Sequence, residues 1–279
     1  AEIRLPRAIL GVLVGATLGL TGAALQGLLR NPLAEPGLLG VSSAAGLGAA
    51  IAFYAGLGAT LPLAVPIGGM IGASLAVIAL VALAGRDSSV LTLMLAGIAI
   101  SSFASALTAL VLNLAPNPFA ALEIAFWMLG SLADRSLADV TLAAPVMLLG
   151  WALLFGIGRA LNALTLGEET ARSLGVDVAR LRLRVVIGAA LAVGAAVAVS
   201  GGIAFVGLVV PHLLRPFVGH QPSRLLVASA FGGAALLLAA DIAVRLLSPG
   251  PELKLGVLTA LVGAPFFLYL IVSTRRAMR

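Results

Sequence analysis

Residues 166–184 read LGEETARSLGVDVARLRLR, and they are the one place where this chain becomes densely charged. They carry Glu168, Glu169, Arg172, Asp177, Arg180, Arg182 and Arg184, with long apolar runs on either side. The run that follows, about 185–217, is too long for one crossing of a ~30 Å hydrocarbon core, which takes about 20 helical residues. It is interrupted by Ser200-Gly201-Gly202, so the expectation is one helix up and a short helix, about 206–217, back. Further apolar segments fall at about 8–29, 41–57, 63–84, 90–114, 140–158, 225–247 and 255–274. The expected fold is all-α: one polytopic transmembrane domain over 1–279 with nine passes and a charged loop at 165–184. Helices are required because an apolar segment in lipid must satisfy its own backbone hydrogen bonds, and the alternation of barrel strands is missing.

Composition excludes the soluble classes. The chain is 61% hydrophobic and 10% charged, against roughly 25% charged in soluble domains. Having no cysteine, it has neither a disulfide framework nor a thiolate metal site. A net charge of +6 would suggest nucleic acid in a soluble protein; here the arginines are better read as flanking charges that set orientation, and no nucleic acid is expected. The opening AEIRLPR leads into an apolar run too long for a signal-peptide core. If the first helix starts outside, then Arg30, Arg86, Arg159, Arg172, Arg180, Arg182, Arg184, Arg215, Arg224, Arg275, Arg276 and Arg279 lie inside. Arg4, Arg7, Arg135, Arg245 and Lys254 lie outside. The bias favours this orientation and makes the 166–184 island cytosolic.

Within the island, Thr165 and Glu168 have capping-box spacing, the two glutamates favour a helix N-terminus, and Glu168 to Arg172 is a favourable i,i+4 pair. Gly175 ends that helix and Asp177 is placed to cap another. The pattern predicts two short helices around a glycine corner, the plan of a docking element for a soluble partner; an ordinary basic inner loop is the plainer alternative. In the first helix, Gly11, Gly15, Gly19, Ala23 and Gly27 form a smooth face that packs another helix within the subunit, rather than making a dimer seam, and Gln26 is expected to bond a neighbouring helix, with lining a path as the alternative. GATLGLTG at 15–22 faintly echoes GAAVAVSG at 194–201 in inverted sense. Arg4, Arg7 and Arg245 stand on the disfavoured side, so an acidic partner outside is one reading of them; Asp241 and Arg245 read as a self-satisfying pair. His212 and His220 have no partners at ligand spacing, so no metal site is expected. No P-loop, catalytic triad or paired carboxylate appears, and the spans hold almost no acid or base for ion coupling.

Several stretches together resemble the permease subunit of the ABC importers for iron-siderophores, haem and cobalamin. They are IRLPR at 3–7, QGLLRNPLAEPGLLGVS at 26–42, LMLAGIAIS at 93–101, LGEETARSLGV at 166–176, FVGLVVPHLLR at 205–215, ADIAVR at 240–245 and LTALVGAPFFLYL at 258–270. LNALTLGEETARSLGVDV and VAVSGGIAFVGLVVPHLLR are most similar to the haem permeases. The resemblance implies a homodimer around one central path in the bacterial inner membrane, two cytosolic ATPase subunits that bind the ATP, and a periplasmic binding protein. Arg4, Arg7 and Arg245 match arginines that grip acidic residues of the binding protein. Gly167, Glu168, Glu169, Ala171, Arg172, Leu174 and Gly175 match the element coupled to the ATPase. The helix at 90–114, with Ser101, Ser102 and Ser105, and the last helix, with Gly263, Pro265, Phe266 and Phe267, match the path-lining pair.

Two departures from the family pattern stand out. The family carries one more helix before IRLPR, and where it reads ELPVG this chain reads Glu252-Leu253-Lys254-Leu255-Gly256, which leaves the start of the last helix in question. The expected function is import of haem or a related iron complex, with no cofactor bound by this chain and no enzymatic activity of its own. A ferric-siderophore or cobalamin permease, an ion-coupled secondary transporter and a non-transporting scaffold are the alternatives.

Overall fold

In hydrocarbon the only cheap backbone is a helical one, and the computed structural model, which describes residues 4–84, 90–247 and 253–277, has helices as its only regular structure among those residues. In order they are α1 (Arg4–Leu29), α2 (Val41–Tyr54), α3 (Leu57–Thr60), α4 (Ala64–Ala84), α5 (Val90–Asn113), α6 (Pro118–Met128) and α7 (Leu137–Leu154). Then follow α8 (Gly158–Leu164), α9 (Glu168–Ser173), α10 (Val178–Ser200), α11 (Val206–Leu214), α12 (Pro222–Leu247) and α13 (Leu255–Ala277). Short 3-10 turns at Pro36–Leu39 and Pro216–Val218 precede α2 and α12. Six helices, α1, α4, α5, α7, α10 and α12, are long and apolar enough to cross a membrane. With α2, α11 and α13 they supply the nine apolar segments read from the sequence. Arg86, Glu252 and Arg279 lie outside the described residues.

The break at Ser200-Gly201-Gly202 is where α10 ends, and a short helix, α11, starts at Val206 as expected; it ends at Leu214, and its nine residues, about 14 Å, are too few to make the expected ninth pass alone. Three further expectations need correction. The segment expected at 185 begins at Val178, because Asp177 caps it by accepting the Arg180 N–H at 2.9 Å; the island's second helix is therefore the first turns of a 23-residue span, not a separate short one. The loop expected between 114 and 140 contains α6, whose 11 residues start on the Asn117-Pro118 pair; Asn117 accepts the Ala120 N–H. At 1.5 Å per residue α6 is about 16 Å long, too short to cross. Lastly, α7 begins at Leu137 on a Ser136–Asp139 capping box.

Helix α1 is the central post. Its apolar window is 72% buried and that of α10 78%, while α5 is 22% buried and turns Leu95, Phe103 and Leu110 outward. The glycine face of α1 packs inside the subunit, chiefly on α12. A Cβ at Gly19 would fall 1.9 Å from the Ser229 carbonyl oxygen, and one at Gly15 2.4 Å from that of Gly233. Here glycine is a steric requirement, since the two backbones touch. Trp151 of α7 donates its indole N–H to Thr17 of α1 at 2.9 Å, and the Thr17 carbonyl accepts the Thr21 hydroxyl at 2.7 Å.

The Arg7 end of the α1–α12 pair is locked by charge. Arg7 reaches Asp241 through both Nε and a terminal nitrogen, at 2.8 and 2.7 Å, and Arg245 meets the other carboxylate oxygen at 3.1 Å. Asp241 is 4% exposed and Arg7 15%, while Arg245 is 44% exposed. The expected i,i+4 pair is present, but Asp241 is shared with a second helix.

Two outcomes follow for thermal unfolding in detergent. Gly19→Ala should destabilise by at least the ~1–3 kcal/mol typical of an overpacked core, seen as a lowered midpoint and loss of monodisperse protein. Arg7→Ala, which strips a buried carboxylate of its two-pronged partner, should lower the midpoint several-fold more than Arg245→Ala, whose half-exposed arm is worth about 1 kcal/mol or less.

Candidate functional site

A cavity of about 780 Å³ opens between α10 and α13. Its walls include Val193 and Val197 of α10, Gly256 to Pro265 of α13, and the turn Gly202–Ala204. Its floor is the segment after α1, with Glu35, Pro36 and Gly37. The lining is overwhelmingly apolar, and Glu35 is its one ionisable side chain among the described residues. Such a space suits a bulky, largely apolar molecule held by shape.

The start of α13 is built into this wall despite the missing proline. The helix begins at Leu255, the Gly256 N–H donates to the Gly130 carbonyl at 3.3 Å, and the Ser131 N–H donates to that of Ser200 at 2.8 Å. Of the residues matched to the path, Pro265 lines the cavity. Gly263 is buried under Phe205, Phe266 meets the His212 ring edge-on at 5.7 Å, and Phe267 is half-buried. Ser101 is half-buried, Ser102 and Ser105 are exposed, and all three lie on α5, which packs against α2 and α4. The structure thus brings Pro265 to the cavity and leaves the three serines on another face of the protomer.

At the charged island, α9 forms as expected but starts differently. Gly167, at φ +110°, is its N-cap and offers no side chain; the Thr165 hydroxyl instead donates back to the Asn162 carbonyl at 2.7 Å and closes α8. The expected capping box is therefore absent, because Thr165 is taken by the helix before it. The C-terminal end follows the sequence. Gly175, at φ +84°, donates to the Arg172 carbonyl at 2.9 Å and Val176 to that of Ala171 at 3.0 Å, the paired bonds of a Schellman turn. Ala171 is fully buried and anchors α9 from beneath, whereas Glu169, Arg172 and Leu174 face outward, with Leu174 62% exposed.

The island is stitched to the spans at several points. Glu168 pairs with Arg172 at 2.7 Å and lies 3.6 Å from Arg182 of α10. Arg184 donates to the Leu153 and Phe155 carbonyls at the end of α7, at 3.1 and 2.9 Å. Asn162 and Ser223 exchange two 3.0 Å hydrogen bonds that tie α8 to the first turn of α12. A small cavity shared by Arg30, Glu168 and Arg182 places the end of α1 on the same side as the island, in keeping with the arginine bias. On the opposite side Arg4 is exposed, Arg245 is half-exposed, and Arg7 is committed to Asp241.

Two residues matter more than the sequence alone signals. Gln26, buried, brings its amide nitrogen within 3.4 Å of the Ala34, Gly207 and Leu208 carbonyls and accepts from Arg215. It bonds neighbouring segments rather than lining the cavity. Glu35 accepts the Phe205 N–H at 2.7 Å. The only hint of Glu35 in the sequence is that it sits before Pro36 in a stretch with no other charge after Arg30.

Comparison with known proteins agrees with this architecture. The cobalamin import system permease protein BtuC of Halobacterium salinarum is 42% identical over 276 residues, spanning 96% of this chain and 72% of that protein. The hemin transport system permease protein HmuU of Yersinia pestis is 40% identical, over 98% of this chain and 83% of that one. A solved structure of a metal-chelate type ABC transporter in an inward-facing conformation superposes with a TM-score of 0.89 at 33% identity, covering 98% of this chain and 86% of the other. The profile of the FecCD transport family matches residues 1–273. A multi-pass helical chain of the inner membrane, similar throughout its length to permease subunits of ABC importers, this protein belongs to the FecCD transport family.

Proposed function

We propose that this chain is the permease subunit of an importer for haem or a related iron complex, moved by ATPase subunits bound at the island. The observation that carries the proposal is the pairing of a large apolar cavity between α10 and α13 with an outward-facing, helix-anchored element, on the side that the arginine bias makes cytosolic. A cavity with one carboxylate and no ligand cluster suits a flat, largely apolar cargo. Relatives named for cobalamin and for hemin are almost equally similar, so the cargo rests on this chemistry and on the stretches matched to haem permeases.

In this reading two copies enclose the path, and the α5 serines Ser101, Ser102 and Ser105 reach it only once the second copy is in place. A periplasmic binding protein delivers cargo to the outer face through Arg4 and Arg245, whose guanidinium forks suit acidic side chains. Arg7 contributes by holding Asp241. On the inner side, a partner ATPase receives Leu174, Arg172 and Glu169. Closure on ATP pulls α9, and because Glu168, Arg184 and the Asn162–Ser223 pair bind the island to α10, α7 and α12, the spans follow. ATP chemistry belongs to the partner, and this chain supplies no catalytic group.

Reconstitution in proteoliposomes with the ATPase and binding protein tests the proposal. ATP-dependent uptake, with hydrolysis stimulated by haem above ferric siderophore and cobalamin, is expected; uptake driven by an ion gradient without ATP would overturn it in favour of a secondary transporter. Leu174→Asp should weaken ATPase association by about 10- to 100-fold, the loss of one buried leucine, as measured by co-purification and titration. Gly175→Val, which puts a β-branched residue at φ +84°, should lower uptake per ATP hydrolysed while leaving the membrane-embedded helices intact.

A further inference from the structure

The segment joining α1 to α2 is tucked in at several points: Ala34, Pro36 and Leu39 are buried, and the segment lies against the start of α11. A buried loop brings backbone groups that need partners, and two side chains meet that need. The Gln26 amide, with two hydrogens to donate, lies 3.4 Å from the Ala34 carbonyl of this segment and from the Gly207 and Leu208 carbonyls in the first turn of α11. Glu35 takes the N–H of Phe205, the residue that caps α11 and whose own carbonyl accepts from Leu208 and Val209 at 3.1 and 2.8 Å. Phe205 has φ +68° and ψ −19°, a left-handed conformation that a bulky residue keeps only when its surroundings hold it there. That conformation sends its side chain onto α13: a Cβ at Gly263 would fall 2.3 Å from the Phe205 Cβ and 2.4 Å from its Cγ.

We infer that Glu35 is the positioning residue that sets where α13 stands against the cavity floor, acting through the backbone of Phe205. This rests on the permease reading above, in which α13 forms one wall of the path. With Glu35 in place, Phe205 is a fixed stop for α13 at Gly263. Without the acceptor, the part-buried Phe205 N–H loses its partner, the left-handed conformation loses its support, and the stop comes free. The operative property is the acceptor oxygen, not the negative charge, because the partner is a backbone amide. Glutamine, whose side-chain carbonyl can accept the same bond, should therefore replace Glu35 while leucine should not.

The test uses the full chain with its ATPase and binding protein. The absence of native cysteine allows paired spin labels at Gly37→Cys, on the cavity floor, and Leu261→Cys, on the α13 wall. Glu35→Leu should broaden the distance distribution between the labels and cut uptake per ATP by about tenfold or more, the scale set by one unpaired buried amide, with ATP hydrolysis nearly unchanged. Glu35→Gln should leave both readouts at the parent's values. An unchanged distribution and uptake in Glu35→Leu would overturn the inference, and so would a Glu35→Gln protein as impaired as Glu35→Leu. If Glu35→Leu fails to fold, Gly263→Ala decides: with Glu35 intact it should displace Phe205 and broaden the same distribution, and a narrow one sinks the idea. Should the parent itself not transport, the permease reading fails, while the spin-label comparison still decides whether Glu35 places α13.

Discussion

Everything in this chain is subordinate to the rule that a backbone N–H or carbonyl in hydrocarbon must find a partner within the protein. Long helices obey it without help, and α1, α4, α5, α7, α10 and α12 are such helices. The informative places are those where the chain leaves the helix at depth. Between α1 and α2, and between α10 and α11, the backbone leaves the helix and is partly buried, and side chains reach in: the Gln26 amide lies near the Ala34 carbonyl and those of the first turn of α11, and Glu35 accepts one amide. The cavity lies beside these two interruptions. Irregular backbone is tolerated in a membrane protein where it is enclosed by protein or lines a space, and here it does both.

The second organising constraint is closeness. Gly15 and Gly19 of α1 meet α12 at backbone contact, Gly48 of α2 meets Gly68 of α4, and Gly150 of α7 meets Gly188 of α10. Dispersion between backbones, rather than burial from water, holds helices together in lipid, and it falls off steeply with separation. A post such as α1, packed on α7, α10, α11 and α12, cannot shift without undoing several of these contacts. The more exposed α5 and α13 are held by fewer of them, so they are the elements freest to adjust.

Much of this was legible in the sequence. Apolar run length located the spans, the serine-glycine break located the end of α10, and the glycine spacing marked the packed face of α1. Local capping was less legible because the same residue can serve two helices. Thr165 has the spacing to start α9 but closes α8 instead, since α8 ends there and Gly167 can begin α9 without a side chain. Asp177 caps a helix that continues into the membrane, and no local signal says how long a capped helix will run. The short α6 was hidden because 11 residues make no span, although Asn117-Pro118 is a good start signal. Least legible was Glu35, whose role depends on an amide 170 positions away. The α5 serines show the converse: a polar stripe on an apolar helix is visible in sequence, but the face it points to is set by packing.

Helix α12 joins the two sides of the molecule in one uninterrupted piece. Its first turn exchanges hydrogen bonds with Asn162 beside the island, and its other end carries Asp241 and Arg245 on the outer face. At about 39 Å for 26 residues, it is a rigid rod with both handles attached. Thermodynamic reciprocity then applies: if a ligand at each end binds one pose of this rod better than the other, occupancy of either end changes affinity at the other by the same factor. The two faces of the protein would then share a single ledger of affinity, with no soluble messenger between them.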